Sequence, residues 1–228
     1  MQSESREGEN LDEHIKRVRG GLTALREVFA GNAGEYRVVG SALVAALYGK
    51  PHRKLGDIDM LVDAAKNRQI IAGLIEKGYT IENKSAWGFR WQEAYHRSRL
   101  GFTFLLVGTF GSQYFSCVLR GHIELRISNA YIKPMRYSLL GIEFIGIPRE
   151  SVYQGIKASF LNPKRTLDRK IMKALCADVF SEGEKLDASF QLYLCGIRVP
   201  YAYTIFSHLY NLYGGIRVRF GKKYEAWE

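Results

Sequence analysis

The stretch VVGSALVAALYGKPHRKLGDIDMLVD, residues 38–63, decides the fold. A short strand ends at Gly40, and the compact apolar run over residues 41–48 predicts a two-turn helix that the following Gly and Pro stop. A basic loop then leads to a second strand over residues 57–62. The pattern therefore predicts a strand, a helix and another strand in direct succession.

Two pairs of residues in this stretch carry chemistry. Alternate residues of a strand face the same side, so Asp57 and Asp59 project together, about 6 to 7 Å apart along the backbone. Such a carboxylate pair suits a hard divalent cation. Gly40 lets the backbone approach a phosphate, and the helix N-terminus with the Ser41 hydroxyl offers hydrogen-bond donors. A phosphate cradle beside a metal site predicts metal-assisted phosphoryl or nucleotidyl transfer.

The rest of the chain predicts an α+β fold. Residues 11–29 carry apolar residues at helical spacing after Asn10, and residues 87–128 alternate strand-forming runs with turns, typical of antiparallel sheet. After Pro148 the pattern becomes helical, including a predicted helix over residues 186–195. We expect a small mixed or antiparallel sheet with flanking helices and a helical C-terminal subdomain. The predicted divisions are an N-terminal helix (1–35), a catalytic domain (36–147) and the helical subdomain (148–228).

Composition limits the classes of function. The chain has 228 residues and a net charge of +10, which favours a polyanionic partner such as RNA. Basic and aromatic residues interleave in the tail IRVRFGKKYEAWE, residues 216–228, as in segments that grip single strands. No apolar stretch reaches the roughly 20 residues that span a bilayer, and the polar start is unlike a signal peptide. We expect a cytoplasmic protein without membrane contact.

The central stretch resembles the signature of the DNA polymerase β-like nucleotidyltransferase superfamily. That signature is a hydrophobic residue, Gly, Gly or Ser, a spacer, and then Asp, hydrophobic, Asp or Glu, hydrophobic. Here it reads Val39-Gly40-Ser41, the 15-residue spacer 42–56, and Asp57-Ile58-Asp59-Met60. The spacer is a little longer than usual in the family. Arg53, near its end, is similar to a basic residue of antibiotic- and toxin-type members, where it would contact the triphosphate or brace the carboxylates.

The resemblance implies a catalytic set. Asp57 and Asp59 would hold two Mg²⁺ ions, with Mn²⁺ as an alternative, and a nucleoside triphosphate would be the substrate. The family adds a third acidic residue on a neighbouring strand. Glu124 in HIELRIS is the preferred candidate for a metal ligand or general base, and Glu143 is the rival. Glu124 is preferred because it precedes the transition from strands to helices by a whole strand.

A second segment, residues 147–175, resembles the helical part of nucleotidyltransferases related to abortive-infection toxins. Lys157 would match an inward lysine of that part and Asp168 a later acid, with Lys164 and Arg165 in the basic loop between them. This similarity implies that Lys157 and Arg165 bind the triphosphate. Their alternative role is as ordinary solvated charges, with Asp168 as a helix cap.

These observations predict an enzyme that moves a nucleoside monophosphate to an acceptor hydroxyl. The basic charge favours RNA, such as a tRNA end, and a toxin held in check by an antitoxin protein is one setting. A cationic antibiotic-type acceptor needs an acidic pocket, and the sequence shows no acidic cluster beyond the catalytic one. The alternatives are a small-molecule, antibiotic-type acceptor, a protein hydroxyl acceptor, and a catalytically silent nucleic-acid-binding protein with the same fold.

Overall fold

The computed structural model describes residues 10–30, 35–86, 89–108, 114–118, 123–158, 165–176 and 190–202, together with Ile205 and Leu209. The helices within these residues are α1 (Leu11–Val28), α2 (Gly40–Tyr48), α3 (Asn67–Glu76), α4 (Arg149–Ala158) and α5 (Thr166–Leu175), with a 3-10 turn at Ala64–Lys66. The strands are β1 (Tyr36–Val38), β2 (Asp57–Asp63), β3 (Thr80–Ala86), β4 (Phe89–Tyr95), β5 (Gly101–Val107), β6 (Tyr114–Val118), β7 (Ile123–Ser128), β8 (Met135–Leu139), β9 (Ile142–Gly146), β10 (Phe190–Leu194) and β11 (Ile197–Val199).

The larger sheet is mixed and has seven strands in the order β3-β4-β5-β2-β1-β9-β8. β2 lies at its centre, antiparallel to β1 and parallel to β5. Strand β9 runs parallel to the other side of β1. The strand, helix and strand predicted over residues 38–63 are thus confirmed, and the second of those strands is the middle of the sheet.

The two faces of this sheet differ in burial. The even-numbered residues of β2 and β5 lie in the core, among them Ile58, Met60, Phe102 and Phe104. Asp57, Asp59 and Thr103 alternate with them and stay half-buried, as the period of a strand requires. Helix α1 covers the core face, where a Cβ at Gly21 would lie 3.0 Å from Leu100 Cβ. The opposite face is left for the acidic side chains.

Local sequence signals explain several element ends. The Asn10 side chain accepts a hydrogen bond from the Glu13 N–H at 2.8 Å, which caps the start of α1 as predicted. The turn between β8 and β9 has positive φ at both Leu140 (54°) and Gly141 (77°), the conformation of a tight hairpin turn. Leucine is an uncommon residue for that turn, so sequence patterns did not predict strand β8.

The smaller sheet has four strands in the order β11-β10-β7-β6. The predicted helix over residues 186–195 is wrong, because residues 190–194 form β10 and pair with β7. Phe190 is buried there against the ring of Tyr131, with ring centroids 4.4 Å apart. Pairing and packing with a distant segment outweigh local helical spacing at this point. The tail at residues 216–228 lies outside the described residues.

The α+β class, with a mixed sheet flanked by helices, is confirmed. Within the described part of the chain, none of the helices combines the length and the apolar character that crossing a membrane requires.

Candidate active site

Gly40 joins the predicted phosphate cradle to the aspartate pair. It is the first residue of α2 and has φ +70°, in the left-handed region that favours glycine. A Cβ at this position would lie 2.3 Å from Oδ2 of Asp59, so only glycine fits. Ser41 follows in the same turn and is buried. The Asp59 carboxylate therefore lies against a helix start, where backbone N–H groups lack intrahelical partners.

Asp57 and Asp59 share the open face of β2, as predicted. Asp57 Oδ2 accepts a hydrogen bond from Thr103 Oγ1 on the neighbouring strand at 2.5 Å. Burial, and after it the charge of Asp57, raises the pKa of Asp59 to about 7. A hard divalent cation bound between two carboxylates would relieve the repulsion of their charges. The residues present therefore fit the metal that the resemblance implies.

The two predicted third acids do not join this pair. Glu124 lies on β7 in the smaller sheet, where its Oε1 accepts a hydrogen bond from Arg126 Nε at 2.9 Å. Glu143 is exposed on β9, opposite Ser138 on β8. In the ranges that the structure describes, no three His, Cys, Asp or Glu side chains are grouped closely enough to share a metal ion. The hydrophobic pattern around Glu124 predicts its strand correctly but does not specify which sheet that strand joins.

Glu93 on β4 is the acid that sequence reasoning missed. It pairs with Thr103 on β5, and Thr103 pairs with Asp59 on β2, so the three side chains form a row across one face. Two strand spacings put the Cα atoms of Glu93 and Asp59 about 10 Å apart. The alternation of Trp91, Glu93 and Tyr95 was a readable signal for one face of a strand, but it did not show that this strand lies beside β5.

The surroundings of Glu93 orient its carboxylate. Trp91 Nε1 donates to Oε1 at 2.7 Å, and the Tyr95 hydroxyl donates to Oε2. A pocket of about 240 Å³ opens beside it, lined also by Asp57 and Thr103. Glu93 is thus a fixed acceptor that shares a pocket with Asp57.

Glu82 adds another acid to the same face, because it pairs with Glu93 across β3 and β4. It binds the Lys84 ammonium, which also lies 5.9 Å from the centre of the Tyr95 ring. Strand pairing therefore adds Glu93, and Glu82 with its partner Lys84, to the face that holds Asp57 and Asp59, which the sequence analysis did not predict. These acids lie in a row across the strands because residues far apart in sequence are paired across the sheet.

A second acidic centre lies at Asp168, whose side chain is fully buried. His52 Nε2 lies 2.6 Å from Oδ1, Arg53 donates through Nε and Nη2 at 3.0 Å each, and Arg165 Nη1 donates to Oδ2 at 3.1 Å. Burial opposes ionisation, but the hydrogen bonds from His52 and Arg53, with the charges of both arginines, outweigh it. The pKa of Asp168 is consequently held well below its usual range.

The predicted cationic residues have different positions. Arg53 is engaged by Asp168 and also donates from Nη1 to the Lys54 carbonyl at 3.1 Å. Arg165 stands between the two acidic centres, with Nη2 4.0 Å from Oδ2 of Asp59. Lys157 lies on α4, and its side chain is outside the described atoms. The structure thus brings the Arg165 guanidinium to the aspartate pair, and the positive charge of Arg53, fixed at Asp168, also acts on Asp59.

Comparison with solved structures gives the fold a name. The chain is similar to the lincosamide antibiotic adenylyltransferase LnuA in its lincomycin-bound crystal structure, with a TM-score of 0.58 and 19% identity over 70% of this chain and 99% of that one. It is also similar to ANT(2″)-Ia in complex with adenylyl-2″-tobramycin, with a TM-score of 0.50 and 10% identity over 88% and 98% of the two chains. No protein-family model and no curated protein matches the chain.

These likenesses show that the chain has the nucleotidyltransferase fold. The resemblance to the DNA polymerase β-like superfamily, stated from the residues around Gly40 and Asp57, is confirmed at the level of fold. The finer resemblance to abortive-infection toxins stays a prediction.

Proposed function

We propose that this chain is a metal-dependent nucleotidyltransferase, which moves a nucleoside monophosphate from a nucleoside triphosphate to an acceptor hydroxyl. The observation that carries the proposal is the contact between Asp59 and Gly40, because it puts a carboxylate pair beside a phosphate-binding helix start. Asp57 and Asp59 would hold the divalent cation, Mg²⁺ or Mn²⁺. That cation would neutralise phosphate charge and polarise the α-phosphate when bound.

The proposed step is an in-line displacement. The acceptor oxygen attacks the α-phosphorus and forms a new P–O bond, while the bond to the bridging oxygen breaks and pyrophosphate leaves. Gly40, Ser41 and the first-turn N–H groups of α2 bind the β- and γ-phosphates. Arg165 adds positive charge near the same phosphates, and Lys157 keeps its predicted role there.

Glu93 is proposed as the general base that takes the proton from the acceptor hydroxyl. Its two oxygens accept hydrogen bonds from Trp91 and Tyr95, which fix the carboxylate beside the pocket. A positioned carboxylate contributes roughly 10²- to 10⁴-fold in such a role. Its place in one row with Thr103 and Asp59 supports this role over Glu124, which is paired with Arg126.

The acceptor that the pocket favours is a small hydroxyl compound bearing an amine. The pocket combines Asp57, Glu93 and the Tyr95 ring. Beside it, the Lys84 ammonium binds Glu82 and lies 5.9 Å from the centre of the Tyr95 ring, which supports an amine-bearing acceptor in these surroundings. Its volume of about 240 Å³ is below the roughly 300–1,000 Å³ of drug-sized sites, so it suits one ring of a larger molecule. The bound molecules of the two structural neighbours are of this small kind.

RNA is the second candidate acceptor, and the net charge of +10 is the observation that favours it. In that case an RNA end would enter the pocket and the basic surface would hold the strand. A toxin with an antitoxin partner belongs to this candidate, and it predicts growth arrest on expression that Asp57→Ala relieves.

The deciding experiment offers the four α-labelled nucleoside triphosphates with Mg²⁺ or Mn²⁺ to the wild-type chain. Acceptor pools are aminated hydroxyl compounds, such as aminoglycosides and lincosamides, and total cellular RNA. We expect label to move into the small-molecule pool. Label in RNA would replace the small acceptor with the second candidate.

Matched variants make the assay specific. Asp57→Asn is expected to abolish transfer, whereas Asp12→Asn, an exposed aspartate in the first turn of α1, is expected to leave it unchanged. Transfer that survives in Asp57→Asn would contradict the proposed metal site. Absence of transfer with every pool, combined with salt-sensitive RNA binding that Asp57→Asn does not alter, would establish a silent binding protein.

A further inference from the structure

The two arginines that bind Asp168 are held very differently. All three nitrogens of the Arg53 guanidinium donate hydrogen bonds, two of them to Asp168 and one to the Lys54 carbonyl. Its side chain is only 12% exposed. Three of the five N–H donors of Arg53 are thus engaged within the protein, and its half-fixed, little-exposed side chain acts as a brace for Asp168.

Among the described residues, the Arg165 guanidinium makes a hydrogen bond at one end, to Asp168, and only a longer ion pair at the other, to Asp59. Nη1 donates to Asp168 Oδ2 at 3.1 Å, while Nη2 lies 4.0 Å from Asp59 Oδ2, beyond hydrogen-bond distance. The side chain is 23% exposed, about twice the value of Arg53. The Nη2 end of the Arg165 guanidinium can therefore move while Asp168 holds the Nη1 end.

The position of Asp59 Oδ2 gives its proximity to Arg165 a consequence for ligand binding. The same Oδ2 atom faces Gly40 at the start of α2 and Nη2 of Arg165. A cation bound to Asp59 and a phosphate bound at α2 would therefore meet in the space that Arg165 faces. The positive charge of Arg165 would repel the cation and attract the phosphate.

We propose that Arg165 is a movable counter-ion, which rests on the proposed function for the identity of its ligands. Without a cation its free end partly neutralises Asp59. When the metal and the triphosphate bind, that end leaves Asp59 for a phosphate oxygen, and Asp168 holds the other end in place. Arg165 thus couples occupation of the metal site to occupation of the phosphate site.

The coupling predicts effects of opposite sign on two ligands. Removing Arg165 takes away a positive charge that competes with the metal, so Arg165→Ala should bind Mn²⁺ alone about 3- to 10-fold more tightly. The same change removes a charge-assisted hydrogen bond to phosphate, so inorganic triphosphate in the presence of Mn²⁺ should bind about tenfold or more weakly. A purely structural role for Arg165 would weaken both.

The test measures free Mn²⁺ by electron paramagnetic resonance and triphosphate binding by calorimetry. Inorganic triphosphate serves as the probe because it needs neither the correct base nor an acceptor. Arg165→Gln, which keeps a donor for Asp168 but loses the charge, guards against loss of folding and should repeat both changes. Lys173→Ala, an exposed lysine in the last turn of α5, should change neither.

The outcomes separate this inference from the proposed function. The counter-ion role would be overturned by unchanged or weaker Mn²⁺ binding in folded Arg165→Ala and Arg165→Gln, or by unchanged triphosphate binding in these variants. Transfer by the wild type would persist in that case, so the proposed function would stand. Failure of the wild type to bind either Mn²⁺ or triphosphate would overturn both.

Discussion

Asp59 and Asp168 share one neighbour, Arg165, yet their surroundings differ in nearly every other respect. Asp168 is fully buried and is hydrogen-bonded to His52, Arg53 and Arg165. The hydrogen bonds of His52 and Arg53, with the charges of the two arginines, outweigh burial and hold its pKa below the usual range. Asp59 keeps 30% of its side chain exposed and lies beside Asp57, and its pKa is raised to about 7.

The contrast separates a carboxylate that supports the fold from one that awaits a ligand. A buried charge that is paired and hydrogen-bonded is complete, and removing it leaves its partners uncompensated. A carboxylate pair whose mutual repulsion is only partly offset by Arg165 is stabilised further by a proton or a cation from outside. Substitutions at the two centres should therefore affect different observables.

The largest expected effect is on activity at the open centre. Asp57→Asn removes a metal ligand, so we expect transfer to fall by about a thousandfold or more, since a metal ion contributes several kcal/mol of transition-state stabilisation. Stability should stay the same or rise, because repulsion with Asp59 is relieved. Initial rates and thermal unfolding of the same preparation check both parts. A variant that loses activity only by unfolding would break the contrast.

The next effect is on stability at the closed centre. Asp168→Asn leaves His52, Arg53 and Arg165 without their shared carboxylate, so the free energy of unfolding should fall by about 3–5 kcal/mol. Urea unfolding at pH 7 measures it, with Asp12→Asn as the exposed control.

The same centre gives a pH dependence with a definite sign. Because the pKa of Asp168 is lower in the folded than in the unfolded chain, its contribution is fully present above the unfolded-state pKa of about 3.9 and is lost as the pH falls below it. The difference in unfolding free energy between wild type and Asp168→Asn should shrink between pH 5 and pH 2, values that bracket the unfolded-state pKa of about 3.9. A difference that stayed constant would contradict the role of the charge.

A smaller effect is expected at the proposed base. Glu93→Gln should lower kcat by about a hundredfold with little change in KM for the triphosphate, because general-base catalysis typically contributes about 10²- to 10⁴-fold. Glu124→Gln is the matched control on the other sheet and should change neither parameter. Loss of activity in Glu124→Gln but not in Glu93→Gln would restore the original sequence prediction.

The smallest effect on stability, but an informative one, concerns Gly40. Gly40→Ala and Gly49→Ala both place a side chain at positive φ, which costs about 1–2 kcal/mol of stability, and Gly40→Ala should cost more because its Cβ also meets Asp59. Only at Gly40 would the new Cβ meet Asp59, since nothing lies within 4 Å of a Cβ at Gly49. Activity measurements at equal folded fraction should therefore show a loss in Gly40→Ala alone.

Sequence patterns predicted the local units well. Alternation placed Asp57 and Asp59 on one face, and glycine at residue 40 indicated a close approach that the structure traces to the Asp59 carboxylate. These predictions succeeded because strand period and glycine sterics act over a few residues.

Sequence patterns predicted the structure wrongly where pairing between distant strands decides it. Residues 190–194 have a spacing that allows a helix, but pairing with β7 makes them a strand. Glu124 has the hydrophobic neighbours expected of the third acid, but its strand belongs to the smaller sheet. Glu93 lies on the same face as Asp59 because β4 pairs with β5 and β5 pairs with β2.

The sequence by itself determined the α+β class, the strand-to-helix junction at Gly40 and Ser41, and the aspartate pair on β2. The tertiary structure decided which further groups meet that pair: Glu93 across the sheet, and Arg165 held by Asp168 from a helix more than 100 residues further along the chain. The physical reason is that backbone periodicity and sterics are properties of neighbouring residues. Strand order and the partners of a buried charge depend on which distant surfaces pack together.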